Sequence, residues 1–209
     1  PSGSGYALEN RLTVSRLFAD AFRELRVQRL ASFFLALQQA LREGAPRDDE
    51  APHIVLLTPG AYNETYFEHA YLARYLGFTL VEGNDLAVRE DRVYLKTVTG
   101  LERVHAVLRR LDDDFCDPLE LRPDSALGVP GLVQAWRAGN VLVANAFGVA
   151  VLESPALSPF LPGAADRLLG KALELPCIPT WWCGEAPALD EARRRLAEMA
   201  IKPAFPDAR

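Results

Sequence analysis

The 209-residue sequence is poor in cysteine: Cys116, Cys177 and Cys183 are the only three. They form no C-x-x-C pair, so neither a disulfide framework nor a zinc cluster is expected, and a reducing cytoplasm is the natural compartment. No apolar run is long enough to cross a bilayer, and the start lacks the basic and apolar regions of a signal peptide. Positive charge is not in excess. Lys and Arg number 23 against 28 Asp and Glu, a formal net charge of -5. That balance lacks the electrostatic footprint of a protein that binds nucleic acid or an anionic membrane. Methionine occurs once and not at position 1, so the chain reads as a piece of a longer polypeptide. No Walker-type glycine loop occurs, and no dinucleotide fingerprint follows the first predicted strand, which disfavours a dinucleotide-dependent enzyme. None of His53, His69 and His105 falls in an H-E-x-x-H pattern, and all three read as structural. Hydrophobic residues make up 49% and charged residues 24%, ordinary globular values that set disorder aside.

The chain opens with PSGSG, read as a flexible glycine and serine stretch. Leu17, Phe18, Ala21, Phe22 and Leu25 fall on one face at helical spacing, and Leu30, Phe33, Phe34, Leu37 and Leu41 on another. The break in phase between them predicts two helices, or one kinked helix, ending at Gly44. Residues 45–52 (APRDDEAP) form a polar, proline-bounded linker. Then the pattern changes. Residues 53–58 (HIVLLT) predict a buried parallel strand. Residues 65–76 predict a helix with Phe67, Ala70, Tyr71 and 74–76 on its apolar side, stopped by Gly77. A strand at 78–82, a hairpin of 86–88 with 93–96, and strands at 105–109 (HAVLR) and 141–145 (VLVAN) follow, with helices at 129–138 and 159–169. This rhythm predicts an α/β fold with a doubly wound parallel sheet, helices on both faces, and ligands beyond the strand carboxyl ends. From residue 176 the character differs: a Trp181–Trp182 pair, a charged helix at 190–199 and a short strand at 200–202.

Two clusters sit at predicted strand ends. In residues 58–69 (TPGAYNETYFEH) a strand passes through a Pro-Gly turn into a helix. The exposed amides of a helix N-terminus suit an anion, although Asn63 and Thr65 taken alone read first as helix caps. Residues 109–120 (RRLDDDFCDPLE) gather two arginines and four aspartates at one strand end. Arg109 and Arg110 there have the geometry for a carboxylate or phosphate, against the alternative of surface ion pairs that contribute little. Cys116 reads as a small buried residue rather than a nucleophile, and the tryptophans as core or interface packing.

Several runs together resemble one family. They are PSGSGYALENRL at 1–12, LLTPGAYNETYFEHAYLARYLGF at 56–78, LVEGNDLAVR at 80–89 and VYLKTVTGLERVHAVLRRLDDDFCDPLEL at 93–121. GVPGLVQAWRAGNVLVANAFG at 128–148, LPCIPTWWCG at 175–184 and IKPAF at 201–205 complete the set. The sequence is similar to the type 2 circularly permuted ATP-grasp proteins, relatives of glutathionylspermidine synthase. The resemblance leaves out only the linker and residues 185–199. It implies a parallel-sheet, Rossmann-like three-layer domain of the pre-ATP-grasp kind, with an N-terminal helical segment and a partial ATP-grasp tail. The implied divisions are 1–52, 53–175 and 176–209. It also implies an ATP-dependent carboxylate–amine ligase that uses magnesium, phosphorylates a carboxylate and lets an amine attack the acyl phosphate.

On this reading Asn63, Glu64, Arg109, Arg110 and Asp113 contact the small-molecule carboxylate or amine. Lys202 in IKPAF matches a strand lysine that reaches the ATP phosphates. The resemblance places the acidic magnesium motif before Pro1 and the second nucleotide clamp after Arg209. The 209-residue chain by itself is therefore expected to be inactive. The alternative function is a degenerate ATP-grasp-like binding or scaffold module.

Overall fold

Four consecutive apolar residues, Ile54–Leu57, form the centre of the fold. All four are buried, and alternation sends them to opposite faces. Val55 and Leu57 pack with Val107 and Val143 on one side, while Ile54 and Leu56 meet Ala106 and Leu108 on the other. A strand covered on both faces is the expected environment of a continuous Val/Ile/Leu run.

The computed structural model describes residues 3–46 and 51–204. Pro1 and Ser2 of the opening run, residues 47–50 of the predicted linker and Phe205 of IKPAF lie outside the described residues. The chain divides into two units, Pro1–Phe147 and Gly148–Arg209.

In the first unit, α1 (Ser4–Leu17), α2 (Ala19–Glu24) and α3 (Ala31–Gly44) lead into β1 (Ile54–Leu57). Then come α4 (Tyr66–Leu76), β2 (Thr79–Val81), β3 (Leu86–Arg89), β4 (Arg92–Thr97), β5 (Gly100–Val104), β6 (Ala106–Arg109), α5 (Leu132–Arg137) and β7 (Leu142–Ala144). The parallel sheet runs β2-β1-β6-β7, with Val55 opposite Thr79 and Val107, and Val107 opposite Val143. One face is covered by helices through Leu8 of α1, Phe34 and Leu41 of α3, and Leu72, Ala73 and Leu76 of α4. The other is covered by Leu132 and Ala135 of α5 together with Leu86, Val93 and Val104. These last three residues belong to a separate antiparallel sheet, β3-β4-β5. The result is the three-layer α/β fold with a parallel sheet.

In the first unit the structure corrects the sequence reading in four places. First, PSGSG is not a loose stretch throughout: Ser4 and Gly5 already belong to α1, and Gly3 precedes it. Second, the inner face of α4 consists of Glu68, His69, Leu72, Ala73 and Leu76. Phe67 is 62% exposed, so the aromatic residues misplace the buried stripe by one position. Third, the hairpin gains a third strand, β5, whose Leu101 and Glu102 are exposed. A strand this open to solvent on both faces carries a weak apolar signal. With β3 and β4, it gives the second face of the parallel sheet a sheet as well as a helix. Fourth, Leu17, Phe18 and Leu25 are all at least 60% exposed, so their shared helical spacing does not mark a buried face. Helix α4 does stop at Gly77, whose φ of 67° is the left-handed conformation that ends helices without a Cβ penalty.

The second unit holds α6 (Leu161–Leu169) and α7 (Ala186–Arg194), with 3-10 turns at Val149–Glu153, Pro155–Phe160 and Leu196–Glu198. Among its described residues only Ser154 and Ala165 are buried. Ser154 caps the Pro155–Phe160 turn through the Ala156 amide and donates its hydroxyl proton to the Ala204 carbonyl at 2.6 Å. The predicted charged helix is real but starts earlier and ends in the last 3-10 turn. Residues 200–202 make no strand, because no neighbouring strand pairs with them among the described residues. Trp182 packs edge-on against Phe160 and Trp181 lies under Arg195, yet both indoles keep more than a third of their surface exposed. No helix among the described residues is long and apolar enough to cross a membrane.

Candidate functional site

The carboxyl ends of the parallel strands bring together the polar groups of the first unit. In sheet order they carry Glu82 after β2, Thr58 after β1, Arg109 and Arg110 at β6, and Asn145 after β7. Thr58 is tied to β2 by its amide, which donates to the Val81 carbonyl at 2.9 Å, and Arg110 to β1 by its amide on the Leu57 carbonyl at 2.9 Å.

Glu68, a carboxylate only 1% exposed, meets this edge through Arg110. It sits at the start of α4 and meets the start of α1. The Gly5 amide donates to its Oε1 at 3.0 Å, Ser4 Oγ approaches at 3.5 Å, and Arg110 Nη2 lies at 3.5 Å. Arg110 Nη2 also donates to Ser4 Oγ at 3.1 Å. A carboxylate at a helix N-terminus meets both unpaired amides and the positive dipole end. Burial by itself raises the Glu68 carboxyl; the Gly5 and Gly3 amides, then Arg110 and His69, overcome that and hold it below the usual carboxylate range. Position 5 must be glycine for this contact. A Cβ there would stand 2.6 Å from Glu68 Cγ and 3.1 Å from its carbonyl oxygen.

Next to it, His69 is 3% exposed and bonded at both ring nitrogens. Nδ1 lies 2.9 Å from Thr58 Oγ1 and Nε2 lies 3.1 Å from Thr65 Oγ1. Thr65 in turn gives both its amide, at 2.9 Å, and its hydroxyl, at 2.5 Å, to Asn63 Oδ1. Burial, then the positive charge of Arg110, push the imidazole below its ordinary value, against the opposing pull of Glu68 and Glu64. This ring is neutral near pH 7.

The residues singled out from sequence are divided by the structure. Asn63 and Arg110 join one network around Glu68 and His69. Glu64 is exposed beside it and touches it through its field on His69. Arg109 and Asp113 form an ion pair with each other. Arg109 also donates Nε to the Asn145 carbonyl at 2.9 Å, Nη1 to the Leu111 carbonyl at 2.5 Å and Nη2 to the Ala146 carbonyl at 3.3 Å, with its guanidinium over the Phe147 ring. These contacts join the ends of β6 and β7. Asn145, at a φ of 47°, answers by donating Nδ2 to the Arg109 carbonyl at 3.3 Å. Lys202 lies in the second unit, exposed and outside any helix or strand.

Sequence reading misses Ser4, Gly5, Glu68 and Asp117, and takes His69 for a structural residue. The signal for the pair on α4 is present: 68, 69, 72, 73 and 76 are one helical face, and a Glu-His pair on a face completed by Leu72, Ala73 and Leu76 stands out once the phase is right. Asp117 is wholly buried and accepts the amides of Leu119, Gly131 and Val133 at 2.9, 3.1 and 3.0 Å, fastening the loop after β6 to α5. Cys116 is buried against the Asp112 carbonyl at 3.2 Å, and burial pushes its thiol up to about 12. That fits the expected inert residue. Among the described residues no group of three or more His, Cys, Asp or Glu side chains converges as a metal site.

Compared with known proteins, the whole chain, residues 1–209, matches the family profile "Circularly permuted ATP-grasp type 2". It is 43% identical over 202 residues to the uncharacterized protein Rv2567 of Mycobacterium tuberculosis, covering 97% of this chain and 23% of that one. It is 40% identical to the uncharacterized protein Rv2411c of the same organism, covering 97% and 37%. It is 41% identical to the uncharacterized protein sll0335 of Synechocystis, covering 98% and 42%. The chain thus spans between about a quarter and two-fifths of the length of these curated relatives.

Proposed function

The chain belongs to the circularly permuted ATP-grasp type 2 family, and from that premise we propose that the whole protein is an ATP-dependent ligase joining a small-molecule carboxylate to an amine. The match to the family over all 209 residues carries this reading. ATP would phosphorylate the carboxylate, and the amine would displace phosphate from the acyl phosphate. An amino acid or peptide-like compound is the proposed substrate, in the cytoplasm. Asn63, Glu64 and Arg110 would face it at the strand carboxyl edge, where polar side chains and a helix N-terminus meet. Arg109, paired with Asp113 and bonded to the β7 end, would hold that edge in shape. Lys202 would reach the ATP phosphates. The described residues do not by themselves assemble a magnesium site.

The test is incubation of the full-length protein with ATP, magnesium and pooled amino acids. ADP release that depends on both a carboxylate and an amine is expected. Tight magnesium–ATP binding without such release from any pair would favour a degenerate binding module instead.

A further inference from the structure

The hydrogen bonds around His69 have a direction that can be worked out one proton at a time. Asn63 Oδ1 has no proton, so in the 2.5 Å contact with Thr65 Oγ1 the threonine hydroxyl is the donor. Its one proton is then used. The 3.1 Å contact between Thr65 Oγ1 and His69 Nε2 must carry its proton on the ring nitrogen. A neutral imidazole has a single N–H, so Nδ1 is a lone pair and accepts from Thr58 Oγ1 at 2.9 Å. The Thr58 oxygen meanwhile accepts the Gly60 amide at 3.3 Å. The chain runs from Gly60 through Thr58, His69 and Thr65 to Asn63 with no conflict. A second proton on the ring would point Nδ1–H at Thr58 Oγ1 and displace the threonine's own proton.

The far end of the chain has a chemical consequence. The Thr65 amide can only donate and terminates on Asn63 Oδ1 at 2.9 Å, so the carboxamide cannot turn over without facing its NH2 against that amide. Among the described residues Asn63 Nδ2 has no hydrogen-bond partner, and the residue is only half-buried.

We propose that His69 is a positioning residue: its Nε2 proton, acting through Thr65, fixes the Asn63 carboxamide with the Nδ2 donors presented, so that this position selects an oxygen acceptor such as a carboxylate over an amine. The inference deepens the ligase reading and rests on it for the identity of the substrate groups. The charged groups around the ring agree with it. Arg110 after β6 opposes a second proton, and Glu68 of α4 and Glu64 in the turn before it favour one, with burial on the side of Arg110. His69 therefore does not serve as a general base. Its lone pair is held by Thr58, and its proton by Thr65.

Long-range 1H–15N spectra of the 209-residue chain at pH 7 test the tautomer directly. Protonated Nε2 and bare Nδ1 are expected, retained in Thr65→Ser and scrambled in Thr65→Val. A ring protonated on Nδ1, or on both nitrogens, overturns the proposal without recourse to any variant. The selection is tested by titrating the same sample with sodium acetate and, at matched ionic strength, with methylammonium chloride. Acetate is expected to shift the Asn63 NH2 signals saturably and methylammonium to leave them, with the acetate response weakened roughly tenfold in Thr65→Val. A response to methylammonium alone, an equal response to both, or none to acetate would remove the selective role. Neither measurement involves ATP or turnover. The absence of ligase activity with these signatures intact would therefore sink only the ligase reading, and a wrong tautomer in an active ligase only this one.

Discussion

Glu68 and His69 are neighbours in the chain, and burial pushes their titrations in opposite senses. For His69 it lowers the affinity for a proton; for Glu68 it raises it, but the Gly5 and Gly3 amides and Arg110 reverse the outcome. Both groups therefore bind protons less readily folded than unfolded. Where the unfolded chain takes up more protons, stability falls as pH falls. The His69 contribution is complete above its ordinary value of 6.5 and is lost below it; the Glu68 contribution begins to be lost below 4.5. Urea unfolding followed by circular dichroism should show stability declining already between pH 6.5 and 5. His69→Gln should flatten that upper window and leave the lower one. A wild-type stability level from pH 7 to 5 would show that the ring is not held neutral. Asp117 is a second residue-scale case, since its buried carboxylate takes three backbone amides. In Asp117→Asn one oxygen becomes a donor facing a donor, and we expect a loss of roughly 3 kcal/mol. A loss below the resolution of a denaturant melt would mean that water or a shifted loop satisfies those amides.

At the scale of elements, α1 meets α4 because residue 5 has no side chain. Leu8 of α1 enters the same core as Leu72 and Leu76 of α4, while one turn earlier Gly5 lies against Glu68. Gly5→Ala would force a methyl group into the Glu68 side chain and press on its backbone. We expect a cost of roughly 1–3 kcal/mol, together with disturbance of the Arg110 and Ser4 contacts. A melting curve unchanged from the native protein would show that α1 can lift away without penalty. The strands beneath these helices are legible in the sequence. Residues 54–58 and 106–109 are short apolar runs ending in a polar residue, and burial on both faces needs nothing subtler. The helices are harder to read. In α4 the aromatic side chains of Phe67, Tyr71 and Tyr75 outweigh Glu68 and His69 in any apolar count. They cover the rim, where Phe67 stacks with Tyr6 and Tyr71 and Tyr75 meets Phe34 edge-on, while the polar pair goes inside, because a charge and an imidazole with every partner supplied can be buried. Asn63 and Arg110 could be found from position alone, since both follow strand ends. Glu68 can be placed on the buried face by helical phase alone, but its partners cannot be read that way, because Ser4, Gly5 and Arg110 lie 64, 63 and 42 positions away. Local spacing carries no record of such contacts.

For the molecule as a whole, the two units differ in what holds them together. Both apolar cores, one on each face of the parallel sheet, are drawn from residues no later than Phe147. In the second unit α6 contributes Ala165, while Leu168, Leu169, Leu175 and Ile178 are each at least 66% exposed. Stability follows buried apolar surface, at about 25 cal/mol per Å², and local opening follows its absence. Amides of β1 and β6 should therefore exchange with solvent only through global unfolding, while those of α6 and α7 should exchange orders of magnitude faster. A chain ending after Gly148 should keep the main cooperative transition, because it retains Phe147 closing on Trp136 at 5.3 Å and beneath Arg109. Hydrogen exchange read by mass spectrometry on the full 209 residues, set beside a melt of residues 1–148, decides the matter. Protection of α6 and α7 equal to that of the sheet, or loss of cooperative unfolding on truncation, would mean that the second unit is integral to the folding of the first. Lys202→Ala bears on the same division. The side chain is exposed and belongs to no helix or strand, so its removal should leave the melt of the 209-residue chain unchanged. In the full-length protein the same substitution should weaken nucleotide binding, if its proposed place on the ATP phosphates is right.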